Sequence, residues 1–313
     1  MIKILLSGLG GSLFPYLDKA LKDEFKLFYL DSNSSMKELY ADLNFVKAPL
    51  VREEAYKNLV IDLIRQKNID YYIPLIDEEL PIAKYQIAKS ASVHVIAPEL
   101  SFIDLCLNKY ELMKFLKVNK LSVIESYLGS EFDQQLPFPV FVKPVSGRGS
   151  RGIRKINSKE QLNAYYMLEG YLPEEVLVQP LVEGQEYTVG VTTNNLNKIL
   201  CIGSKRIISK RGITQMAVTE NNSQINELAQ RLVQIMQPKG PINIQLFLTD
   251  EGEIKIFEIN PRFSTTTILE IEAGVNVVKE YLDHVDKEDV GHIKFPESGL
   301  IIHRRWESVF YRE

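Results

Sequence analysis

The chain has 313 residues, of which 45% are hydrophobic and 25% are charged, as is ordinary for a soluble globular protein. This length allows two or three domains with cores of their own. The net charge of −4 and the pI near 5.8 argue against a surface that coats nucleic acid, so we expect no nucleic-acid partner.

The cysteine usage and the hydropathy indicate a cytoplasmic protein. Cys106 and Cys201, the two cysteines, each lie in an apolar run, which is typical of buried free thiols in a reducing compartment. No apolar stretch reaches the length needed to span a bilayer, so we expect no membrane partner. Residues 1–6 are predicted to form a strand and not a signal sequence, because Gly8 soon interrupts the apolar run.

The first third of the chain alternates between short apolar strands and helical stretches. This alternation predicts a parallel sheet covered by helices on both faces, with ligands at the carboxyl ends of the strands. Strands are predicted at 2–6, 26–30, 70–76 and 93–97, and helices at 15–22, 53–67 and 80–90. Polar segments follow the first three strands, at 7–12, 31–33 and 77–79.

The loop after the first strand is rich in glycine. Gly8, Gly10 and Gly11 match half of a dinucleotide-binding fingerprint but lack its full G-x-G-x-x-G spacing. The loop is interpreted either as a tight strand-to-helix turn or as a cofactor loop. In the second case Asp31 would suit a ribose hydroxyl, which keeps a dinucleotide oxidoreductase as an alternative.

Features suited to phosphate binding appear in the middle of the chain. A helix is predicted at 109–116, beginning with Lys109, and a strand at 138–144 contains Lys143. That strand leads into the glycine-rich segment 145–152, whose backbone amides can approach phosphate oxygens closely. The segment lacks the G-K-[ST] ending of a Walker loop. It is interpreted either as a flap that clamps a triphosphate or as a basic hairpin loop without a ligand.

Residues 176–189 are predicted to form two strands joined by a polar turn. Pro180 cannot donate to a central ladder, so the segment is expected at a sheet edge or in a connection between subdomains. Free backbone groups beside Leu181 and Val182 suit a flat purine. Glu186, on the second strand, could accept hydrogen bonds from ribose hydroxyls.

Two basic clusters, at residues 205–211 and 303–306, are candidates for binding an anionic substrate. Lys210 and Arg211 are expected on a solvated face, as charged runs usually are. Arg206 and Arg304 lie inside strand-like segments, where an unpaired charge is costly. These two arginines are therefore the predicted contacts of a substrate phosphate or carboxylate.

The most informative pattern lies in an apolar strand near the end of the chain. Glu258, Asn260 and Arg262 occupy alternate positions and are expected on one side of that strand. Phe257 and Ile259 are expected to point into the core. Carboxylate and amide oxygens suit a hard cation such as Mg²⁺, and a guanidinium suits a phosphate. The pattern indicates phosphoryl transfer, although any half-solvated strand shows a similar alternation.

The preceding strand strengthens the metal interpretation. Residues 241–248 and 254–262 are separated by a short loop that contains Asp and Gly, which predicts an antiparallel hairpin. In that pairing Gln245 would lie across from the region of Glu258. Its amide oxygen would add a further metal ligand.

Residues 264–267 read Ser-Thr-Thr-Thr and precede a predicted helix that runs to Ala273. Thr265 and Thr266 are candidate substrate residues if the segment lines a site with hydroxyl donors near a helix N-terminus. The alternative is a helix N-cap with additional β-branched residues, and the sequence favours neither.

Taken in order, these segments resemble the ATP-grasp superfamily, and within it the stand-alone ligases similar to carbamoyl phosphate synthase. The resemblance rests on residues 142–144 with the flap and on 178–189, 240–245, 257–263 and 72–80, and so covers nearly the whole chain. It implies an α/β fold that is α+β in its C-terminal part. A parallel-sheet pre-ATP-grasp domain (1–107) would precede two ATP-grasp subdomains, a small one with the flap (108–179) and a C-terminal one with the Mg/ATP site (180–313).

The resemblance implies an ATP-dependent carboxylate–amine ligase. The γ-phosphoryl group would pass to a small-molecule carboxylate, and an amine would then displace phosphate from the acyl phosphate. The cofactors would be ATP and two Mg²⁺ ions, with Mn²⁺ as an alternative, and the chain would associate as a homodimer through its N-terminal domain. Residues 264–267 replace the further arginine of carbamoyl phosphate synthase, which puts bicarbonate in doubt as the substrate.

The resemblance also implies roles for individual residues. Arg262 and Lys143 would be catalytic, with Arg262 stabilising charge on the transferred phosphoryl group. The metal ions would be bound by Gln245, Glu258 and Asn260. The nucleotide would be bound by Lys109, Lys143, Ser146, Gly147, Gly149, Gly152, Gln179, Leu181, Val182 and Glu186.

Two further alternatives keep the same fold. A kinase would transfer the phosphoryl group to a hydroxyl or a phosphate instead of a carboxylate. A non-catalytic module would bind the nucleotide without turnover. Hydroxylamine trapping separates a ligase from a kinase, because an activated carboxylate yields a hydroxamate and a phosphate ester does not.

Overall fold

The computed structural model describes residues 1–8, 13–33, 43–133, 135–147, 149 and 151–305. They form one parallel sheet and two antiparallel sheets, with helices packed against them. This architecture confirms the predicted α/β class with an α+β C-terminal part. Nowhere in these ranges is a helix both long enough and apolar enough to cross a bilayer.

The N-terminal sheet has five parallel strands in the order β3-β2-β1-β4-β5. The sequence predicts four of them but not β3, because three residues ending in a lysine carry no periodic signal. The strands are β1 (Lys3–Ser7), β2 (Lys26–Asp31), β3 (Phe45–Lys47), β4 (Tyr71–Ile73) and β5 (His94–Val95).

The strand predicted at 70–76 ends earlier than expected. Pro74 has no N–H for the ladder, and the N–H of Leu75 donates to the Ser7 hydroxyl at 3.0 Å. The chain therefore leaves the sheet after Ile73 and enters a short 3₁₀ turn, Asp77–Glu79, at the carboxyl edge.

Helices cover both faces of the parallel sheet, as predicted. Along β1, Ile4 and Leu6 belong to one core and Leu5 belongs to another, so successive side chains serve opposite faces. The helices of this region are α1 (Phe14–Leu21), α2 (Glu54–Lys67), α3 (80–91, with a π-helical segment at Ala83–Ile87) and α4 (Leu100–Leu107).

The second sheet has four antiparallel strands in the order β6-β9-β7-β8. Helix α5 (Lys109–Val118) precedes it and begins where the Asn108 side chain accepts the N–H groups of Tyr110 and Glu111, each at 3.1 Å. The other elements are β6 (Tyr127–Leu128), β7 (Val140–Pro144), β8 (Arg154–Ile156), α6 (Lys159–Glu169), a 3₁₀ turn at Pro173–Glu175 and β9 (Val176–Pro180).

The expectation of a sheet edge for the Pro180 segment is wrong. Strand β9 lies between β6 and β7, but β6 pairs only with Leu177 and Val178, so Pro180 has a neighbouring strand on the β7 side alone. The following residues, 181–184, connect β9 to the third sheet, which is the other expectation for this segment.

The third sheet has six antiparallel strands in the order β14-β13-β10-β11-β12-β15. The predicted hairpin is confirmed as β13 paired with β14. The elements are β10 (Gln185–Thr193), β11 (Ile199–Arg211), β12 (Ile213–Thr219), α7 (Ser223–Met236), β13 (Pro241–Leu248), β14 (Ile254–Asn260), α8 (Thr267–Glu272), α9 (Val277–His284) and β15 (Ile301–His303).

One hydrophobic core joins the two ends of the chain. It packs one face of the parallel sheet and α1 against residues of the third sheet, α8 and α9, among them Ile4, Leu17, Phe263, Ile268 and Tyr281. A second core lies between α4, α5, α7 and the third sheet and contains Cys106 and Ile259. Both cysteines are free and buried, as predicted.

Candidate active site

A cavity of about 380 Å³ lies between the second and third sheets, a size typical of small-molecule sites. Its walls come from both sheets, from the first residue of α5 and from the segment 145–152. Most of the predicted site residues line it: Lys109, Lys143, Ser146, Gly147, Gly149, Gln179, Leu181, Val182, Glu186, Gln245, Glu258, Asn260, Arg262 and Thr265.

One wall carries oxygen donors from β13 and β14. The register places Gln245 opposite Glu258 and Asn243 opposite Asn260. Asn243 Oδ1 is buried and has no hydrogen-bond partner within the described ranges. A buried oxygen without a partner costs free energy unless a ligand satisfies it. The four side chains therefore fit a hard divalent cation.

The chemistry of this donor set favours Mg²⁺ held together with phosphates. No three histidine, cysteine, aspartate or glutamate side chains form a metal-binding group in the part of the chain that the structure describes. A cation on this wall would be held by the Glu258 carboxylate and by amide oxygens. Proteins commonly bind Mg²⁺ through one or two carboxylates together with substrate phosphates.

The expectation that Phe257 points into the core is wrong. Gln245 pairs with Glu258, whereas Leu246 pairs with Ile256, so Phe257 is the extra residue of a β-bulge. An extra residue interrupts the two-residue alternation, and the Phe257 ring lines the cavity as a result.

Two buried lysines face the oxygen donors. Lys109 Nζ donates to the carbonyl of Gly147 at 2.6 Å and lies 3.3 Å from Glu258 Oε1. Lys143 Nζ donates to the carbonyl of Phe257 at 2.9 Å. Burial lowers the pKa of Lys143 to about 8; Glu258 opposes this shift, and the neighbouring lysines add to it. A phosphate beside Lys143 would restore a full positive charge.

Lys210 lines the cavity and is exposed as well, so the expected solvated face is also part of the cavity wall. Its Nζ donates to Glu186 Oε1 at 2.7 Å and to Gln245 Oε1 at 3.4 Å. The pairing of β11 with β12 is irregular around Ile207 and Ser209. These irregularities change which residues face the cavity, and the sequence carries no signal for them.

Arg262 links the cavity to the N-terminal sheet. Its Nε and Nη2 donate to the two carboxylate oxygens of Asp77, the second at 3.1 Å, and its Nη1 donates to the carbonyl of Phe263 at 3.2 Å. Burial alone would lower the pKa of Arg262, but the pair with Asp77 outweighs it and the pKa is raised. Asp77 thus holds a permanently charged guanidinium at the cavity wall.

The side of the cavity expected to bind adenine is partly preorganised. Gln179 is 2% exposed, and its Nε2 donates to the Ser126 hydroxyl at 2.7 Å. Leu181 also lies on this cavity wall.

Gly152, a predicted nucleotide-binding residue, is not on the cavity wall. Its φ of +67° and a Cβ position only 2.9 Å from Pro144 Cγ explain why this turn needs a glycine.

Arg206 lies away from the cavity, in contrast to its predicted role. It pairs in register with Tyr187, whose side chain is in the core on the opposite face from the cavity. Its Nε donates to Glu220 at 3.0 Å. The neighbouring Lys205 has the opposite orientation and forms a fully buried ion pair with Glu270. Strand alternation therefore separates these two basic residues.

Arg304 lies behind the cavity wall. Its Nη2 donates to the carbonyl of Thr265 at 2.5 Å, while Nε and Nη1 are buried and have no partner among the described residues. Burial lowers the pKa of this guanidinium. Thr266 is buried, and its hydroxyl lies 2.6 Å from that of Ser264, so of the two predicted threonines only Thr265 lines the cavity.

Asn243 and Lys210 line the cavity, although the sequence pattern does not predict either of them as a site residue. Asn243 stands two positions before Gln245 on β13, so the alternation that predicts the other oxygen donors also applies to it. For Lys210 there is no comparable local signal. The Asp77 partner of Arg262 is separated from it by 185 positions and is likewise invisible in the local sequence.

Comparisons with known proteins agree with this architecture. A model of the ATP-grasp domain matches residues 106–266, and a model of the PylC-like N-terminal domain matches residues 2–97. The D-alanine–D-alanine ligase of Bacillus velezensis is 24% identical over 237 residues, which cover 69% of this chain and 66% of that protein. The arginine-specific carbamoyl phosphate synthase large chain of Bacillus subtilis is 22% identical over 223 residues, covering 66% of this chain and 22% of that protein.

A solved structure shares the fold. The N5-carboxyaminoimidazole synthetase of Staphylococcus aureus, complexed with ADP, superposes with a TM-score of 0.76 at 16% identity, covering 95% of this chain and 80% of that one. The chain spans about half to two thirds of the length of the D-alanine–D-alanine ligases that it matches. Because the ATP-grasp model matches more than half of its residues, this chain belongs to the ATP-grasp family.

Proposed function

We propose that this chain is an ATP-dependent carboxylate–amine ligase that acts on a small-molecule acid. It would form an amide bond through an acyl phosphate and release ADP and phosphate. The observation that carries the proposal is the meeting of buried lysines and the oxygen donors of β13 and β14 in one cavity. Phosphoryl transfer needs chiefly this combination of charge neutralisation and positioning. The similarity to D-alanine–D-alanine ligase supports a carboxylate as the acceptor.

The cavity wall formed by the oxygen donors of β13 and β14, which we call the metal wall, would hold Mg²⁺, with Mn²⁺ as an alternative. Gln245, Glu258 and Asn260, joined by Asn243, offer enough oxygen donors for two ions that also contact phosphates. Bound there, the metal would supply charge neutralisation on the phosphoryl oxygens.

The nucleotide would lie between the lysines and the connection from β9 to β10. Lys109 and Lys143 would hold the α- and β-phosphates, and Gln179, Leu181 and Val182 would surround adenine. Glu186 would accept hydrogen bonds from the ribose hydroxyls. Lys210 already neutralises the Glu186 carboxylate and would orient it.

Arg262, Thr265 and the flap would act at the reacting end of the nucleotide. Arg262 would stabilise negative charge on the transferred phosphoryl group, in the orientation that Asp77 fixes. The flap residues Ser146, Gly147 and Gly149 would cover the triphosphate and exclude the water that hydrolyses an acyl phosphate. Thr265 would contact the acceptor, with Arg304 and Thr266 supporting it from behind.

We further propose three properties of the whole protein. Its division would follow residues 1–107, 108–179 and 180–313, and two copies would associate through the N-terminal domain. Its location would be the cytoplasm.

The proposal is tested with purified protein, Mg-ATP and a panel of carboxylic acids, each combined with a panel of amines. We expect ADP release that depends on an acid, and hydroxamate formation when hydroxylamine replaces the amine. ADP release without hydroxamate would indicate a kinase. No release of ADP or AMP with any pair would refute catalysis.

A pair of variants in one hairpin assigns the activity to the cavity. Glu258→Gln removes the single carboxylate of the metal wall and should lower kcat about 100-fold or more. Glu253→Gln is the matched control, because its side chain is 62% exposed and pairs with Lys255 outside the cavity. Equal activity of the two variants would contradict the metal assignment.

A further inference from the structure

A second cavity, of about 340 Å³, lies at the carboxyl edge of the N-terminal parallel sheet. We call it the N-terminal cavity. It is bordered by the residues that end β1 and β2 and by Ile76 after β4. The order β3-β2-β1-β4-β5 means that the chain reverses its direction of growth between β1 and β4. Ligands of open parallel sheets bind in the crevice outside such a switch point.

A buried carboxylate links the residues of this cavity's floor through hydrogen bonds. Glu79 is fully buried and accepts hydrogen bonds from the hydroxyls of Ser7, Tyr56 (2.5 Å) and Tyr72 (3.1 Å), and from the N–H of Ile76 (3.1 Å). Ser7, Tyr56 and Ile76 also border the cavity. Because these polar groups already form hydrogen bonds with one another, other groups of the cavity have to bind a ligand.

Two arginines from distant parts of the chain border the N-terminal cavity. Arg52 lies between β3 and α2, and Arg151 lies in the flap. Both are exposed, and within the described ranges neither has a hydrogen bond or an ion pair. The acidic residues of the same wall, Asp31 and Glu78, already have partners, including the N–H of Asn33 at 2.8 Å from Asp31 Oδ1. The guanidinium groups of Arg52 and Arg151 are therefore available to form an ion pair with a ligand.

Arg151 borders both cavities, and no other residue in the described part of the chain does. The same flap that covers the proposed triphosphate site thus also reaches the N-terminal cavity. A ligand bound to Arg151 and a nucleotide bound to Ser146, Gly147 and Gly149 would therefore contact the same loop.

We propose that the N-terminal cavity binds an anionic group of a substrate, a carboxylate or a phosphate, between Arg52 and Arg151. This inference rests on the ligase function proposed above and extends it: one substrate carries an anionic group apart from its reacting group. Planar guanidinium forks match the oxygens of carboxylates and phosphates, which supports this ligand class. Because Arg151 belongs to the flap, the anion and the nucleotide bind with positive coupling.

The test is calorimetric titration of the full chain with inorganic phosphate or with succinate, in the absence and presence of Mg²⁺ and a non-hydrolysable ATP analogue, at constant ionic strength. We expect the analogue to tighten binding of at least one probe about tenfold, a typical size for coupling between sites. Binding of phosphate alone would assign a phosphorylated substrate, and binding of succinate alone would assign a second carboxylate.

Three variants locate the site. Arg52→Ala should weaken probe binding at least about tenfold, the effect of losing a hydrogen bond to a charged group, and leave the affinity for the ATP analogue unchanged. Arg151→Ala should weaken probe binding and abolish the coupling. Arg65→Ala is the control, because Arg65 lies in the same domain but donates to the carbonyl of Ser90 outside the cavity. It should bind the probes as the parent does.

The failure of this inference differs from the failure of the proposed function. If the analogue binds but neither probe binds, or if Arg52→Ala binds the probes as tightly as the parent, the anion site is refuted and the nucleotide site stands. If the probes bind through Arg52 but the analogue does not bind, the anion site stands and the ligase proposal fails.

Discussion

At the scale of single residues, Lys143 shows how the site depends on its surroundings. The sequence indicates a lysine at the end of a strand, but only the fold buries it beside two other lysines and Glu258. The lowered pKa has a consequence for stability as well. Between about 8 and 10.5 the unfolded chain binds the proton and the folded chain does not, so the contribution of this group to stability rises with pH across that window.

Nucleotide binding should show the opposite trend. As the pH rises through about 8, Lys143 of the free protein loses its charge, and the dissociation constant of Mg-ATP should rise up to about tenfold for each further pH unit. Calorimetric titration between neutral and alkaline pH measures this. Lys143→Arg is the control, because its guanidinium stays protonated and its profile should be flatter. Parallel profiles of the two proteins would disprove the role of Lys143.

Prediction from sequence succeeds for side-chain positions that follow from strand alternation. Gln245, Glu258 and Asn260 meet on one wall because side chains two positions apart share a face. The prediction for Arg206 is wrong. The side of the sheet on which it lies follows from its register with Tyr187, and a cluster of basic residues in the sequence does not show that register. The ionic partners of Arg262 and Lys205 come from other elements, so no local pattern predicts them.

At the scale of elements, close packing of α8 on the third sheet explains two strand glycines. Gly190 of β10 and Gly203 of β11 are paired in register, and both lie beneath the buried carboxylate of Glu270. A Cβ on Gly190 would lie 3.0 Å from Glu270 Cδ, and one on Gly203 only 2.7 Å from it. The sheet leaves this space because Glu270 pairs with Lys205 above the two glycines.

Filling that space should destabilise the fold. We expect Gly190→Ala to lower the free energy of unfolding by about 1–3 kcal/mol, because the buried ion pair has to shift to make room. Urea denaturation measures the change. Ser209→Ala, at an exposed position of β11, is the control and should stay within about 0.5 kcal/mol of the parent. A Gly190→Ala protein as stable as the parent would show that Glu270 does not need this space.

At the scale of the whole molecule, a shared hydrophobic core crosses the predicted boundary between residues 1–107 and the rest of the chain. One face of the parallel sheet, with Ile4 and Leu6, packs on Phe263, Ile268 and Tyr281 from the other end of the chain. The buried pair of Asp77 with Arg262 crosses the same boundary. Residues 1–107 thus contain a sheet of their own. Only one face of that sheet has a hydrophobic core made from these residues alone.

A fragment of residues 1–107 should therefore not fold as it does in the full chain. With Ile4, Leu6 and Leu17 uncovered, we expect a compact state that binds a hydrophobic dye and lacks near-UV circular dichroism. The full chain should unfold in one cooperative transition. A fragment with native-like tertiary signals would show that the core beneath α2 and α3 suffices.

Local periodicity is enough to predict the alternation of strands and helices, the β13–β14 hairpin and the row of oxygen donors along it. These follow from side-chain directions that repeat every two or 3.6 residues. Which charged groups come into contact depends instead on the packing of distant elements. The β-bulge at Phe257 and the irregular pairing near Lys210 change which residues face the cavity, and Asp77 reaches Arg262 across 185 positions. Such contacts depend on how the sheets pack against each other, which the local sequence pattern does not encode.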